Sequence, residues 1–380
     1  MVFAFVQCKS TTAPQASVPT ATIQTQQPKT NGASTISTTA PTAEQTYINQ
    51  YQLPFLVLKV NGKVSFQRHD ENDIQYLWAG TVLSANDLIY INSDASLDIL
   101  CEGPTFYTLN SVELAPIDTL KCPIATGEGI LFGEPGRRHT IIQRGSKQNY
   151  IPYSIYPRAT VVRHDLEYVE WHLTPEGIGY SVTLLGGSEP IDLITRTFRS
   201  EVDQGKDVAR MYFTPTVTLT ASVEYTLKIC VEANSKANSG CTSDRKWAGS
   251  TIDSSFYYET MEPQTMMING IVEKIGGDSP ESLFAQAYIL SRPSVTIPNR
   301  SDKLGAYGEA IQLMEKLIQQ YSNSDLAQSP IVYYELGKLY ELVGLPINAI
   351  TNYQHSIDLS SKDQHSEISK DASDALIRLK

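Results

Sequence analysis

The sequence predicts a multi-domain chain of the β plus α class, with two small β domains followed by an α-helical array. Three observations carry this. From 53 to about 120, short apolar runs alternate with polar residues between turn signals, which is the grammar of strands. A second set of such runs occupies 152 to 260, and from about 279 the apolar spacing lengthens to that of helices. The expected divisions are 1–8 for an apolar stub, 9–50 for a tether, 51–125 for the first β domain and 126–150 for a linker. The second β domain then takes 151–262 and the helices 279–380.

The bulk numbers narrow the function classes. The chain has 380 residues and a formal net charge of −11. A phosphate-binding surface needs clustered Lys and Arg, and none is present, so nucleic acid is not an expected partner. Arg137-Arg138-His139 is the nearest approach and reads as a solvated loop. No apolar run reaches the roughly 20 residues of a membrane-spanning helix. Residues 9–47 are Ser, Thr, Ala, Pro and Gln with almost no charge. They bury too little apolar area to offset their ordering entropy, so a disordered tether is expected.

The five cysteines are Cys8, Cys101, Cys122, Cys230 and Cys241. Four form two close pairs in the β regions, Cys101 with Cys122 and Cys230 with Cys241, and the latter spacing suits the two strands of a hairpin. Each disulfide would contribute about 3 kcal/mol by constraining the unfolded chain and implies an oxidising compartment. Five free buried thiols in a cytoplasmic protein are the alternative.

Within the first β region, Leu56–Val60 meets Asn61-Gly62 and Lys63–Phe66 resumes, which reads as a hairpin. Then come strands at Gln75–Leu77, Thr81–Leu83 and Leu88–Ile91, a Ser-rich turn at Ser93–Ser96, and an alternating strand through Leu97, Ile99 and Cys101. With Gly80 and the Asn86–Ile89 step, this order resembles the FecR-type envelope domain, which implies a β roll over roughly 50 residues. FecR regulators carry a cytoplasmic segment and a membrane span ahead of this domain. Neither is visible here, so a sigma-factor signalling role is not expected.

In the second β region, Trp171 ends one strand and Tyr180 opens another. Leu219 stands six residues before Tyr225, and Tyr225, Leu227, Ile229 and Val231 alternate. These positions resemble a fibronectin type III or immunoglobulin-like sandwich, with a Trp between the sheets and a Tyr pinning a corner by its hydroxyl. The glycines of the linker, Gly127 and Gly129 among them, lack the third glycine and following helix of a phosphate loop.

Helices are expected at Glu281–Leu290, from Gly308 to Ile318, and at Ile331–Leu342, Ile347–Leu359 and Glu367–Leu379. Residues 330–361 resemble one tetratricopeptide repeat, with Leu336, Gly337, Tyr340, Ala349, Tyr353 and Ser356 at its packing sites. Gly308–Ile311, Met314 and Leu317 resemble the second half of a preceding repeat. Its first half would be the helix before Ser291, displaced by an insertion, and Glu367–Leu379 would cap the array. The resemblance implies a groove for a protein or peptide partner lined by Ile331, Tyr334, Lys338, Glu341 and Leu342; the alternative is an array that only caps and rigidifies the β domains or mediates self-association.

Met1–Cys8 followed by the tether resembles the start of a bacterial lipoprotein, with Cys8 as the lipidated residue and the membrane as a partner. Gln7 departs from the small residue usual before that cysteine. No zinc pattern exists among the six histidines. His69-Asp70 and His164-Asp165 read as strand neighbours pointing to opposite faces, so neither should converge. Asp70–Asp73 reads as a solvated turn. No nucleophile elbow or Walker sequence is present. The expectation is therefore a non-enzymatic, extracytoplasmic envelope scaffold without cofactor or metal. An extracytoplasmic ligand sensor using the FecR-like domain is the alternative.

Overall fold

The computed structural model describes residues 55–116 except 85 and 102–104, and 152–379 except 153, 175–176, 188, 199–207, 234–239, 242–254, 297–302 and 361–365. Cys8, Cys122, the tether and the 126–150 linker lie outside the described residues. The chain contains both β and α structure, and the region from Tyr51 onward forms one unit.

The first six strands are β1 (Phe55–Asn61), β2 (Val64–Gln67), β3 (Ile74–Tyr76), β4 (Val82–Leu83), β5 (Leu88–Cys101) and β6 (Thr105–Pro116). β5 is the spine. It pairs antiparallel with β6 on one side and with both β1 and β2 on the other. Asn61-Gly62 is therefore not a hairpin turn. Leu56 faces Leu100, Asn61 faces Ser96 and Val64 faces Ile91, so β1 and β2 run on collinearly along one long partner. Gly62 supplies a left-handed kink (φ +77°), and a Cβ there would lie 2.9 Å from that of Ala95. The predicted Ser93–Ser96 turn is likewise corrected. β5 is continuous there and bulges, taking five steps from Ile91 to Ser96 while β6 takes two, from Val112 to Asn110. The polar residues are tolerated because Ser93 and Asp94 both face solvent on the bulge.

β1 is buried on both faces along Phe55–Leu58. Phe55 and Val57 enter the core of the roll with Val64, Leu83, Ile89, Leu97 and Ile99. Leu56 and Leu58 point the other way, into a core built mostly by helices.

Nine further strands build the second β region: β7 (Ser154–Tyr156), β8 (Val161–Val162), β9 (Leu166–His172), β10 (Gly177–Leu185), β11 (Ile191–Phe198), β12 (Val208–Val217), β13 (Val223–Ala233), β14 (Gly240–Cys241) and β15 (Ser255–Tyr258). One sheet runs β11-β10-β13-β15-β8 with β14 beside β13, the other β12-β9-β7. Both feed one core containing Trp171, Tyr180, Tyr225, Leu227 and Phe256. Trp171 is fully buried with its ring 5.7 Å from that of Tyr180. The Tyr225 hydroxyl accepts the Thr220 N–H at 2.8 Å, pinning the corner before β13. Cys230 and Cys241 face each other across β13 and β14 and form a disulfide. Cys101 is disulfide-bonded as well.

The helices are α1 (Glu262–Ile275), α2 (Pro280–Ser291), α3 (Tyr307–Gln320), α4 (Pro330–Leu342), α5 (Pro346–Ser360) and α6 (Ser366–Leu379). α1 is absent from the sequence reading. Its N-cap, Met261, is left-handed and offers no side-chain cap, and its only local start signals are Glu262 and Pro263 in the first turn. α2 and α4 begin regularly. The hydroxyls of Ser279 and Ser329 cap them, and Pro280 and Pro330 occupy their first turns. α2 packs along α3 across an inserted ribbon of β16 (Val295–Thr296) and β17 (Lys303–Leu304), α4 packs along α5, and α6 packs on α5.

The α4–α5 contact is tight because Gly337 meets the ring of Tyr353, where a Cβ would stand only 2.7 Å from ring carbons. Ala349 and Tyr353 are fully buried, and Leu336 and Tyr340 nearly so. The buried Ser356 hydroxyl donates to the Pro330 carbonyl at 2.8 Å. Gly337→Ala sets a helix-propensity gain of about 1 kcal/mol against overpacking of about 1–3 kcal/mol. The enclosed ring cannot retreat, so the upper part of that cost applies: chemical denaturation should show a net loss of up to about 2 kcal/mol.

Candidate functional site

The residues expected to line a partner groove lie on α4, and the structure separates them into two groups. Ile331, Tyr334 and Lys338 face the first sheet and help enclose a cavity of about 230 Å³. Glu341 and Leu342 do not join them. Glu341 accepts the Tyr353 hydroxyl at 2.9 Å and meets Arg378 of α6 at 3.2 Å, while Leu342 belongs to the helical core. The α4 face is thus partly covered by the chain itself. Gly80 makes this approach possible, since a Cβ there would sit 3.2 Å from Ile331 and 3.4 Å from Phe284 of α2. The Ser329 hydroxyl donates to the Ala79 carbonyl at 2.7 Å and ties the start of α4 to the same loop.

The cavity has three walls. The β wall brings Phe66 and Arg68, α4 brings Glu335 besides the three residues above, and α6 brings Ile368 and Asp371. Arg68 is held from behind: its Nη1 donates to Val82 O at 2.9 Å and to Asp87 Oδ2 at 2.7 Å, and its guanidinium lies 5.0 Å from the Phe66 ring centre. Asp87 is fully buried and also accepts the N–H groups of Ser84 and His69. On the opposite wall Lys338 Nζ donates to Glu335 Oε1 at 2.6 Å and stands 4.8 Å over the Tyr334 ring. Burial opposes ionisation of Glu335, but Lys338 and Arg292 outweigh it and hold the carboxyl below its ordinary range.

The second joint of the helices is with the sandwich. Arg158 donates to the Val343 carbonyl at 2.6 Å, just before Gly344. Arg163 makes a two-pronged pair with Glu309 at 2.8 and 2.5 Å and donates to Thr265 at 2.8 Å. Tyr156 closes on Gly308, and Gln312 donates to the Tyr168 hydroxyl. The Tyr340 hydroxyl donates to Glu315, and burial, then that carboxylate, push its pKa far above the ordinary phenol range, so it remains a donor. Sequence reading missed Arg68, Asp87, Arg158 and Arg163. Only Asp87 lay in a noted motif, because the partners of the other three are distant in sequence or are backbone carbonyls.

The histidine–aspartate pairs need one correction. His69 Nδ1 does lie 3.9 Å from Asp70 Oδ1 and 4.0 Å from Asp87 Oδ1, because residues 68–70 turn instead of continuing β2. Both His69 and Asp70 are exposed, so no enclosed site results. Asp165 does not reach toward His164 but accepts the Leu219 N–H at 3.2 Å, bracing the same corner as Tyr225. Among the described residues no group of three His, Cys, Asp or Glu side chains is placed to hold a metal ion. No helix among them is long and apolar enough to cross a membrane. No family model matches the chain, and no curated protein matches it either.

The Glu335–Lys338 pair makes a prediction with a definite sign. A carboxyl whose pKa is lowered by folding contributes stability that is present above its ordinary value of 4.5 and is lost as pH falls through the lower folded value. Wild type should therefore melt above Glu335→Gln at pH 7, and the gap should close below pH 4.5. A gap that widens in acid contradicts the assignment.

Proposed function

We propose that this chain is a non-enzymatic scaffold of a bacterial envelope, held extracytoplasmically by a lipid anchor at Cys8. In this reading the first domain is FecR-like and the second a fibronectin type III-like sandwich. The pairs α2–α3 and α4–α5 are tetratricopeptide hairpins, and α6 is their cap. The observation that carries the reading is the double attachment of the helices. They share a core with Leu56, Leu58 and Leu100 of the first domain and grip the sandwich through Arg158 and Arg163. Such an array acts first as a clamp that fixes the relative orientation of two β domains. Partner proteins then meet a composite surface, with Tyr334 and Lys338 at the open rim of the α4 face. The corner bond of Tyr225 supports the sandwich assignment, the Gly337–Tyr353 contact supports the repeat assignment, and the Cys230–Cys241 disulfide supports an oxidising compartment.

A ligand sensor is the second reading, favoured by one observation: the cavity is lined by both the first β domain and the helices. An occupant would contact both and so bias their arrangement.

Site-specific photocrosslinking in native cells tests the scaffold. A reactive residue at position 334 should give a discrete protein adduct in the membrane fraction, weakened by Lys338→Glu. One at Ile347, 73% exposed on the far side of α5, should not. Equal labelling at both positions, or recovery of the chain only from the cytoplasm, counts against the proposal.

A further inference from the structure

We infer that the outer face of the first sheet binds a neutral polysaccharide, an extended chain of β-1,4-linked pyranoses lying across β3, β2 and β5. Strand register assembles the surface. Ser65 of β2 pairs with Tyr76 of β3 on one side and with Tyr90 of β5 on the other. Two residues along, Gln67 pairs with Ile74 and with Leu88. Residues paired across a sheet share a face, and so do positions two apart on one strand, so these six lie together. The residues between them, Phe66 and Ile89, are buried in the core of the roll, which leaves the six on the outside. Ile74 is 66% exposed, Tyr76 59% and Tyr90 43%, with Ser65, Gln67 and Leu88 half-buried beside them. The cavity toward α4 is lined by Phe66 and Gln75 of the opposite face, so the two surfaces are distinct and the inference goes beyond the scaffold reading.

Composition selects the occupant. None of the six residues is charged, although the chain has a formal net charge of −11. The exposed turn after Gln67 carries Asp70, Glu71 and Asp73, which would repel an anionic polymer and leaves a neutral one unaffected. Each row reads apolar, polar, apolar. Protein interfaces favour the reverse, an apolar centre inside a polar rim. A pyranose with equatorial substituents matches the order found here. Its C–H faces pack on apolar side chains and on the negative faces of aromatic rings, and the hydroxyls around its edge reach polar groups. Spacing agrees. The outer strands stand roughly 10 Å apart, two strand spacings, close to the advance of two sugars in an extended β-1,4 chain. One sugar per strand places a sugar at Tyr76, the next at Ser65 and the third at Tyr90.

Isothermal titration calorimetry on the full chain tests this with cellohexaose and chitohexaose, and with maltohexaose as the α-linked control of equal length. At least one β-1,4 hexamer should bind, and maltohexaose should bind about tenfold more weakly or not at all. Tyr76→Ala and Tyr90→Ala should each weaken the β-1,4 hexamer about tenfold without shifting the melting temperature, because both side chains are exposed. Tyr212→Ala, which removes a 65% exposed tyrosine from the second β region, should change nothing. If a variant does not fold, the comparison of hexamers on the wild-type chain decides. Silence with both β-1,4 hexamers at millimolar concentration, equal binding of maltohexaose, or full affinity in both folded tyrosine variants overturns the proposal. Silence with the hexamers, together with self-association that Tyr76→Ala abolishes, would assign the face to a second copy of the chain instead.

Discussion

Strand β1 is buried on both faces, and the arrangement of the chain depends on that. A strand of an antiparallel sheet ordinarily offers one face to solvent and alternates accordingly. Phe-Leu-Val-Leu at 55–58 does not alternate. Its odd positions complete the roll and its even positions demand a second apolar partner, which α2 and α4 supply together with Ala79 and Leu100. Burying each such leucine contributes roughly 1.5–3 kcal/mol. The polar contact across the same joint, Ser329 to Ala79, contributes about 1 kcal/mol. Apolar burial therefore holds the two parts together, and the hydrogen bond sets their register.

The joint with the sandwich is built in the opposite manner. Val161 and Tyr257 give it some apolar content, but its distinctive members are buried arginines. A buried ion pair such as Arg163–Glu309 adds little net stability relative to an apolar substitute, yet losing one partner strands a charge. Such a pair discriminates between orientations more than it adds affinity. One face of the helical layer is thus attached to the first sheet chiefly by apolar burial and another to the second β region through buried arginines. This accounts for the small cavity: the α4 face is only partly covered, and charged groups line the remaining gap.

Much of the architecture was legible in local chemistry. Ser279-Pro280 and Ser329-Pro330 carry the cap and first-turn proline of regular helix starts, and Pro346 opens α5 after Gly344. Leu219 and Tyr225 announced the sandwich corner, and the 230/241 spacing its bridged strands. The failures share a cause: the competing interaction was not local. Asn61-Gly62 favours a hairpin in isolation, but a 14-residue β5 offered both flanking runs a longer partner. Ser93–Ser96 resembles a turn until β6 supplies a strand against which it can bulge. The candidate site was half visible, because the resemblance to a repeat singled out Ile331, Tyr334 and Lys338, whereas Arg68 joins them from just past β2, far upstream. The unbroken apolar run of β1 was the available signal that a second core lay opposite.

Native-state hydrogen exchange in sub-denaturing urea tests the shared core most directly. If β1 and α2 belong to one cooperative unit, their slowest amides should exchange through the same opening, with equal free energy and equal urea dependence. Protection of β1 that persists while α2, α4 and α5 open together at lower free energy would mean that the helices are an appended domain, and the clamp would have to be given up.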